Sequence, residues 1–245
     1  ARPLMSARVN LLTYTEDFAT FPPWYPSAYV ITSNSTTAPD GTLTADTYVK
    51  TTAAGFASCY QLVTYTGNAV FSFYAKYAGH QFAAAYFNSP DRLIYFDVLN
   101  GVVGSAGAGC THSMESVGNG WYRCVVAFVQ NGLTNISFFT TPTDNVYSFV
   151  SDGTSGCYFW GTQLELGTTA TPYQSVPGNG STYATAFPIF QKYDGVDDGM
   201  ATAAFTAGTL IDGMDCMIAV RRDSAAACVA GLYNGIADAT KFFGM

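Results

Sequence analysis

Along the first two-thirds of the chain, apolar and polar residues alternate in short runs separated by glycine and asparagine. Val70-Phe-Ser-Phe-Tyr-Ala-Lys-Tyr77 shows it most clearly. Phe71, Phe73, Ala75 and Tyr77 share one side, and Ser72, Tyr74 and Lys76 the other. A period of two marks a strand with one face buried. The same alternation and β-prone composition predict strands at 56–63, 82–87, 93–98, 121–129, 135–140 and 156–166. Between them, Gly67-Asn68, Asn88-Ser-Pro90, Asn100-Gly101, Gly118-Asn-Gly120 and Asn131-Gly132 are expected as turns, and 104–109 as a small-residue loop. Pro39-Asp-Gly41 adds a turn in which Pro presets φ and Gly accepts a positive one. Phe21-Pro-Pro-Trp-Tyr-Pro26 reads as a proline-rich loop, since Pro is excluded from central strands. No long helical period occurs. Short strands with this punctuation predict an all-β protein with a jelly-roll β-sandwich over residues 1–170.

Composition shifts to Pro, Gly and Thr from Thr168 to Pro188, which predicts a linker at 171–188. Residues 189–245 are then expected to form a partial second β unit. Its few strands would leave edges and apolar faces uncovered, so either another chain completes it or the polypeptide continues past Met245.

Charge narrows the function. Only 11% of residues are charged, against about 25% in ordinary domains, while 16% are aromatic. The net charge is −7, and no basic cluster exceeds Arg221–Arg222, so no nucleic-acid partner is expected. No apolar run approaches the roughly 20 residues of a membrane-spanning helix, so no membrane insertion is expected. The N-terminal residues lack the pattern of a secretory signal and an initiator Met, as expected of a processed chain or an excerpt. The six cysteines (Cys59, Cys110, Cys124, Cys157, Cys216 and Cys228) form no C-x-x-C pair; buried free thiols are expected.

Five segments, in order, carry a family resemblance. They are 7–18 (Ala-Arg-Val-Asn-Leu-Leu-Thr-Tyr-Thr-Glu-Asp-Phe), 37–46 (Thr-Ala-Pro-Asp-Gly-Thr-Leu-Thr-Ala-Asp), 71–76, 118–123 (Gly-Asn-Gly-Trp-Tyr-Arg), and 158–167 followed by Thr171-Pro-Tyr173. Together they resemble a module of phage tail and virion proteins related to calcium-containing carbohydrate-binding jelly rolls. Tyr193-Asp-Gly-Val-Asp-Asp-Gly199 is similar to the opening of laminin-G or concanavalin-like domains. The resemblance implies a virion structural protein, made in the cytoplasm of a bacterial host, acting first in assembly and then in host-surface glycan attachment, as a tail fibre, tail-associated appendage or head decoration. Its implied partners are other copies of itself, other virion proteins and host cell-surface glycans.

Glycan recognition needs aromatic rings for sugar faces. The candidate platforms are Trp24 and Tyr25 in the proline-rich loop and Tyr74, Tyr86 and Tyr95 on strands, whereas Trp121 and Trp160 are expected in the core. No cofactor is required. The resemblance does imply a structural calcium, for which Glu16, Asp17, Asp46 and Glu165 are the nearest carboxylates, with Asp144 and Asp152 equal on chemistry alone. Catalysis is not expected: His80 and His112 lack an accompanying motif, and the acidic turn Asp194, Asp197, Asp198 is ordinary hairpin chemistry. The competing expectations are a polysaccharide-degrading tailspike-type enzyme and a secreted glycan-binding module. The second is left open by the Asn-x-Ser/Thr triplets at Asn34, Asn135 and Asn179.

Overall fold

A computed structural model describes residues 4–5, 9–89, 91–178 and 191–192, all within one compact unit. Its strands are β1 (Leu4–Met5), β2 (Tyr25–Ser27), β3 (Tyr29–Thr36), β4 (Ala45–Lys50), β5 (Ser58–Ala78), β6 (Phe82–Asn88), β7 (Asp91–Asp97), β8 (Val102–Ala106), β9 (Cys110–Gly118), β10 (Trp121–Thr141), β11 (Gly156–Leu166) and β12 (Gln191–Lys192). β1 and β12 pair only with each other. The other ten form an antiparallel system, so the expected all-β, jelly-roll-like sandwich class holds.

Its organising feature is a ribbon of two 21-residue strands, β5 and β10, paired without a register shift from Cys59↔Phe138 to Lys76↔Trp121. Strands in globular proteins usually run about 3–10 residues, and these two are long because each serves both layers. In the first layer, β3, β4 and β11 continue from the C-terminal half of β5, and β9 joins the N-terminal half of β10. In the second, β2 joins the start of β5, and β6, β7 and β8 continue from the end of β10. Among the described residues no outer strand pairs with β5 between Tyr60 and Ala69, nor with β10 between Phe128 and Ile136.

Gly67 and Gly132, expected in turns, lie instead inside this continuous ladder with φ of 115° and 87°. A Cβ at either would touch nothing, so glycine is required there for its backbone freedom, not for space. Positive-φ residues inside a strand kink it rather than end it. The alternation merely fades there, because the bridging stretch faces solvent on more sides. The 104–109 loop is likewise corrected in part: β8 runs to Ala106. β2, β3, β4 and β9 were not foreshadowed by alternation, since all but β4 expose most of their residues.

The layers meet through aromatic rings. Phe71 faces Phe87 at 6.0 Å between centroids, and Phe73 faces Phe96 at 5.7 Å. Tyr48 and Phe159 lie 5.2 and 4.8 Å from Phe138. Each contact joins one layer to the other, and burying one such ring is worth about 1.5–3 kcal/mol. Phe71, Phe73 and Ala75 face this interior, as their alternation predicts. Cys59, Cys124 and Cys157 are buried free thiols, and Cys110 is half-buried.

The expected linker starts differently. Residues through Val176 dock on the sandwich: Asn10 Nδ2 donates to Gln174 O at 3.0 Å, and Val176 N donates to Thr15 Oγ1 at 2.9 Å. The second β unit at 189–245, with Tyr193–Gly199, Cys216, Arg221–Arg222 and Cys228, lies outside the described residues save for β12; so does Asn179.

Candidate functional site

Two expected platforms are corrected at once. Trp24 is 0% exposed. Its ring meets Phe18 at 5.3 Å and Phe138 at 5.5 Å, and its Nε1 donates to Tyr14 O at 2.9 Å. The proline-rich loop folds its tryptophan inward, where no sugar reaches. Tyr95 is 1% exposed, packed against Phe139 at 5.8 Å, with burial pushing its hydroxyl up to about 12.

Tyr74 is corrected for a different reason. It lies on the outer face of the first layer, in register with Trp160 and Arg123. That face is roofed by the chain itself. Tyr173 packs on Trp160 at 4.7 Å and on Tyr74 at 6.0 Å. Arg123 Nη2 donates to Thr171 O at 2.5 Å, and its guanidinium lies 5.8 Å over the Tyr74 ring. Trp121 and Trp160 are buried as expected, although under this roof and not between the layers. Their indoles donate to Thr37 O at 3.0 Å and to Thr44 Oγ1 at 2.9 Å.

The outer face of the second layer is covered in part, over Ala84, Tyr95 and Phe139, where Phe56 packs on Phe139 at 5.6 Å, and the remaining two platforms lie on the same face with their rings part-exposed. Tyr25 pairs with Tyr60, Tyr60 with Ser137, Ser137 with Tyr86, and Tyr86 with Leu93. Paired residues project from the same side of a sheet, so these five form one row across β2, β5, β10, β6 and β7. At about 4.8 Å between strands, Tyr60 and Tyr86 stand roughly 10 Å apart. Tyr25 stacks on Tyr60 at 5.2 Å with planes 16° apart, and Phe21, 66% exposed, meets Tyr25 edge-on at 5.0 Å. At the other end, exposed Phe56 meets Tyr86 at 5.3 Å and Tyr147 at 6.0 Å. Tyr86 OH donates to Asp91 Oδ1 at 2.9 Å, placing a carboxylate beside the rings. Of these residues, Phe21, Phe56, Tyr60 and Tyr147 had no signal in sequence, because their grouping depends on pairings remote along the chain.

The four expected calcium ligands do not assemble. Asp46 is buried; its two oxygens accept Phe18 N at 3.1 Å and Asn34 N at 2.9 Å. Burial pushes its carboxyl up to about 6, against the pull of those two donors. Glu165 accepts from Gln163 Nε2, Thr171 N and Thr171 Oγ1. Glu16 accepts from Tyr173 OH, and Asp17 from Thr20 Oγ1. A hard cation needs converging oxygen lone pairs, and these are turned towards N–H and O–H donors. Asp144 and Asp152 are engaged in the same way, by Ser105 and by Thr154 and Ser155. Among the described residues no group of three or more His, Cys, Asp or Glu could hold a metal ion.

His80 is buried. Its Nδ1 lies 3.1 Å from Thr140 Oγ1, which in turn donates to Cys157 Sγ at 3.0 Å. Burial pulls the imidazole below its ordinary value and pushes the thiol up to about 12, so the thiol stays neutral. His112 Nε2 donates to Gly104 O at 3.0 Å. Tyr25 and Tyr86 are therefore the expected platforms whose rings stay part-exposed, with Tyr60 between them. No protein-family model matches the chain, and no curated protein does either.

Proposed function

We propose that the chain is a structural protein of a bacteriophage particle that binds host-surface glycan on the part-exposed tyrosine row of its second layer. The observation that carries this reading is the alignment of part-exposed Tyr25, Tyr60 and Tyr86 across buried Ser137, flanked by Phe21, Phe56 and Tyr147. Sugar rings present apolar C–H faces that pack on such side chains, while hydroxyls and carboxylates between them hold the sugar hydroxyls. The two tyrosines roughly 10 Å apart suit successive units of an extended oligosaccharide. The likeness of the five segments to phage virion modules supports the particle setting. Binding to a glycan array and to host cells is the test. Tyr60→Ala and Tyr86→Ala each abolish retention if the reading holds, and undiminished binding by the double variant removes it.

Self-assembly is a second role, supported by exposed Leu62, Val129 and Leu133 on the bridging part of the ribbon. Apolar side chains left in solvent and few charges favour association between copies. Light scattering at micromolar concentration is expected to give a stable oligomer, and a strictly monomeric folded chain ends that role.

A further inference from the structure

The charges around the tyrosine row are of one sign. Asp91 is exposed, pairs with Asn88, and shares the outer side of β7 with Leu93 and Tyr95. Its Oδ1 accepts from Tyr86 OH at 2.9 Å, so a carboxylate stands at the rim of that ring. Burial pushes the Tyr86 hydroxyl up, and Asp91 pushes it further. Two positions along β7, burial and then Asp144 act in the same way on Tyr95. Near the other end of the row, exposed Asp17 accepts from Thr20 Oγ1 at 2.6 Å, and Thr20 adjoins Phe21 in the chain.

The cations are placed elsewhere. Lys50, Lys76, Arg92 and Arg123 are the lysines and arginines of residues 9–178. Lys76 and Arg123 belong to the first layer, in register with Tyr158 and with Tyr74. Arg92 shares the inward side of β7 with Ile94 and Phe96, is 8% exposed, and donates to Val129 O at 3.2 Å. Lys50 is 1% exposed, and its Nζ is turned inward to Ala53 O and, at 2.9 Å, to Phe149 O. Where a tyrosine does feel an arginine, against the push of burial, it is Tyr65 with Arg92 or Tyr74 with Arg123, and neither lies on the row.

We infer that the row takes uncharged oligosaccharide, and that Asp91 is the residue that turns acidic sugars away. The inference rests on the glycan-binding reading above and adds to it the class of sugar. An uncharged sugar offers what this face can use: C–H surfaces for Tyr60 and Tyr86, and hydroxyls that donate to the lone pairs of Asp91 not engaged by Tyr86. A uronic, sialic or sulfated unit on Tyr86 would set its own negative charge against Asp91, with no lysine or arginine among the described residues of this face to balance it. Two like charges about 4 Å apart in water weaken binding about fivefold.

The test is an array of neutral oligosaccharides, each beside counterparts carrying a uronate, a sialate or a sulfate, probed with the full chain. The readout is the ratio of acidic to neutral retention, in which a general loss of binding or of folding cancels. At about 0.1 M salt the acidic members are expected to be held about fivefold less. The gap closes at about 1 M salt, where the screening length falls from about 10 Å to about 3 Å. Asp91→Asn keeps an acceptor for Tyr86 OH and removes only the charge, so at low salt it raises the ratio about fivefold. Should that variant fail to fold, the salt dependence of the unaltered chain decides. Acidic members held as well as neutral ones at low salt, a ratio indifferent to salt, or a ratio unchanged in Asp91→Asn would overturn the inference. Those results leave the glycan-binding reading standing as long as the Tyr60→Ala, Tyr86→Ala double variant loses retention. Retention that survives the double variant, or none on any member of the array, removes that reading and the inference with it.

Discussion

The two outer faces of the sandwich are built from similar side chains and differ in what covers them. On the first layer, Tyr74, Trp121 and Trp160 are roofed by Tyr173 and by the 37–44 segment. On the second, Tyr25, Tyr60 and Tyr86 form a row with Phe21 and Tyr147 exposed at its ends. An aromatic face is therefore not by itself a binding face. What separates them is how far the same chain returns over each: residues 171–176 close the first, whereas on the second Phe56 packs over Phe139, Tyr95 and Ser137 are buried, and Tyr25, Tyr60 and Tyr86 stay part-exposed. Covered rings contribute to stability, whereas part-exposed rings are free to act on something else.

Substitutions can break this contrast, starting with the largest expected effect. Trp24→Ala removes a ring packed between Phe18 and Phe138, and is expected to cost about 3–5 kcal/mol in urea denaturation. Trp160→Ala opens the roofed face and loses the bond to Thr44, costing about 3 kcal/mol; a loss below about 1 kcal/mol would show that the roof is loose. Asp46 gives a smaller effect with a defined sign. Its folded value of about 6 lies above the ordinary carboxyl value, so the folded state holds a proton that the unfolded chain has lost. Stability from this group thus rises as pH falls from 7 to 5, by about 1 kcal/mol, and is lost as pH climbs through 6. His80, held low by burial, opposes it in the same window. Asp46 is therefore followed by its own carboxyl carbon resonance, whose midpoint is expected near 6. Smallest for stability are Tyr60→Ala and Tyr86→Ala, expected to change unfolding by less than about 1 kcal/mol while removing glycan retention. A large stability loss from either would make the tyrosine row a structural element.

How much of this was legible in the sequence depended on how local the cause was. The inward side of Phe71, Phe73 and Ala75 follows from alternation within one strand. The edge segments Tyr29–Thr36 and Cys110–Gly118 expose most of their residues, so no buried stripe marks them as strands. Gly67 and Gly132 carry the composition of turns, yet the ladder runs through them, because partners far along the chain hold both sides. Trp24 sits among prolines, as a surface loop would, and its contacts with Phe18 and with Phe138, the latter more than a hundred residues later, turn it inward. The tyrosine row escaped for the same reason: Tyr25, Tyr60 and Tyr86 become neighbours only through the register of four strands. The carboxylates near the resembling segments are close to backbone donors, a property that sequence does not encode residue by residue.

The ribbon of β5 and β10 has a consequence for how the molecule can go wrong. Because both layers take their alignment from the same ladder, a slip of one position along it would turn the inward rings of the two sheets to water together. Errors there cannot be confined to one half. Proofreading of the fold is thus concentrated in a single zipper, whose correct closure, joining residues as remote as Cys59 and Phe138, commits the whole sandwich at once.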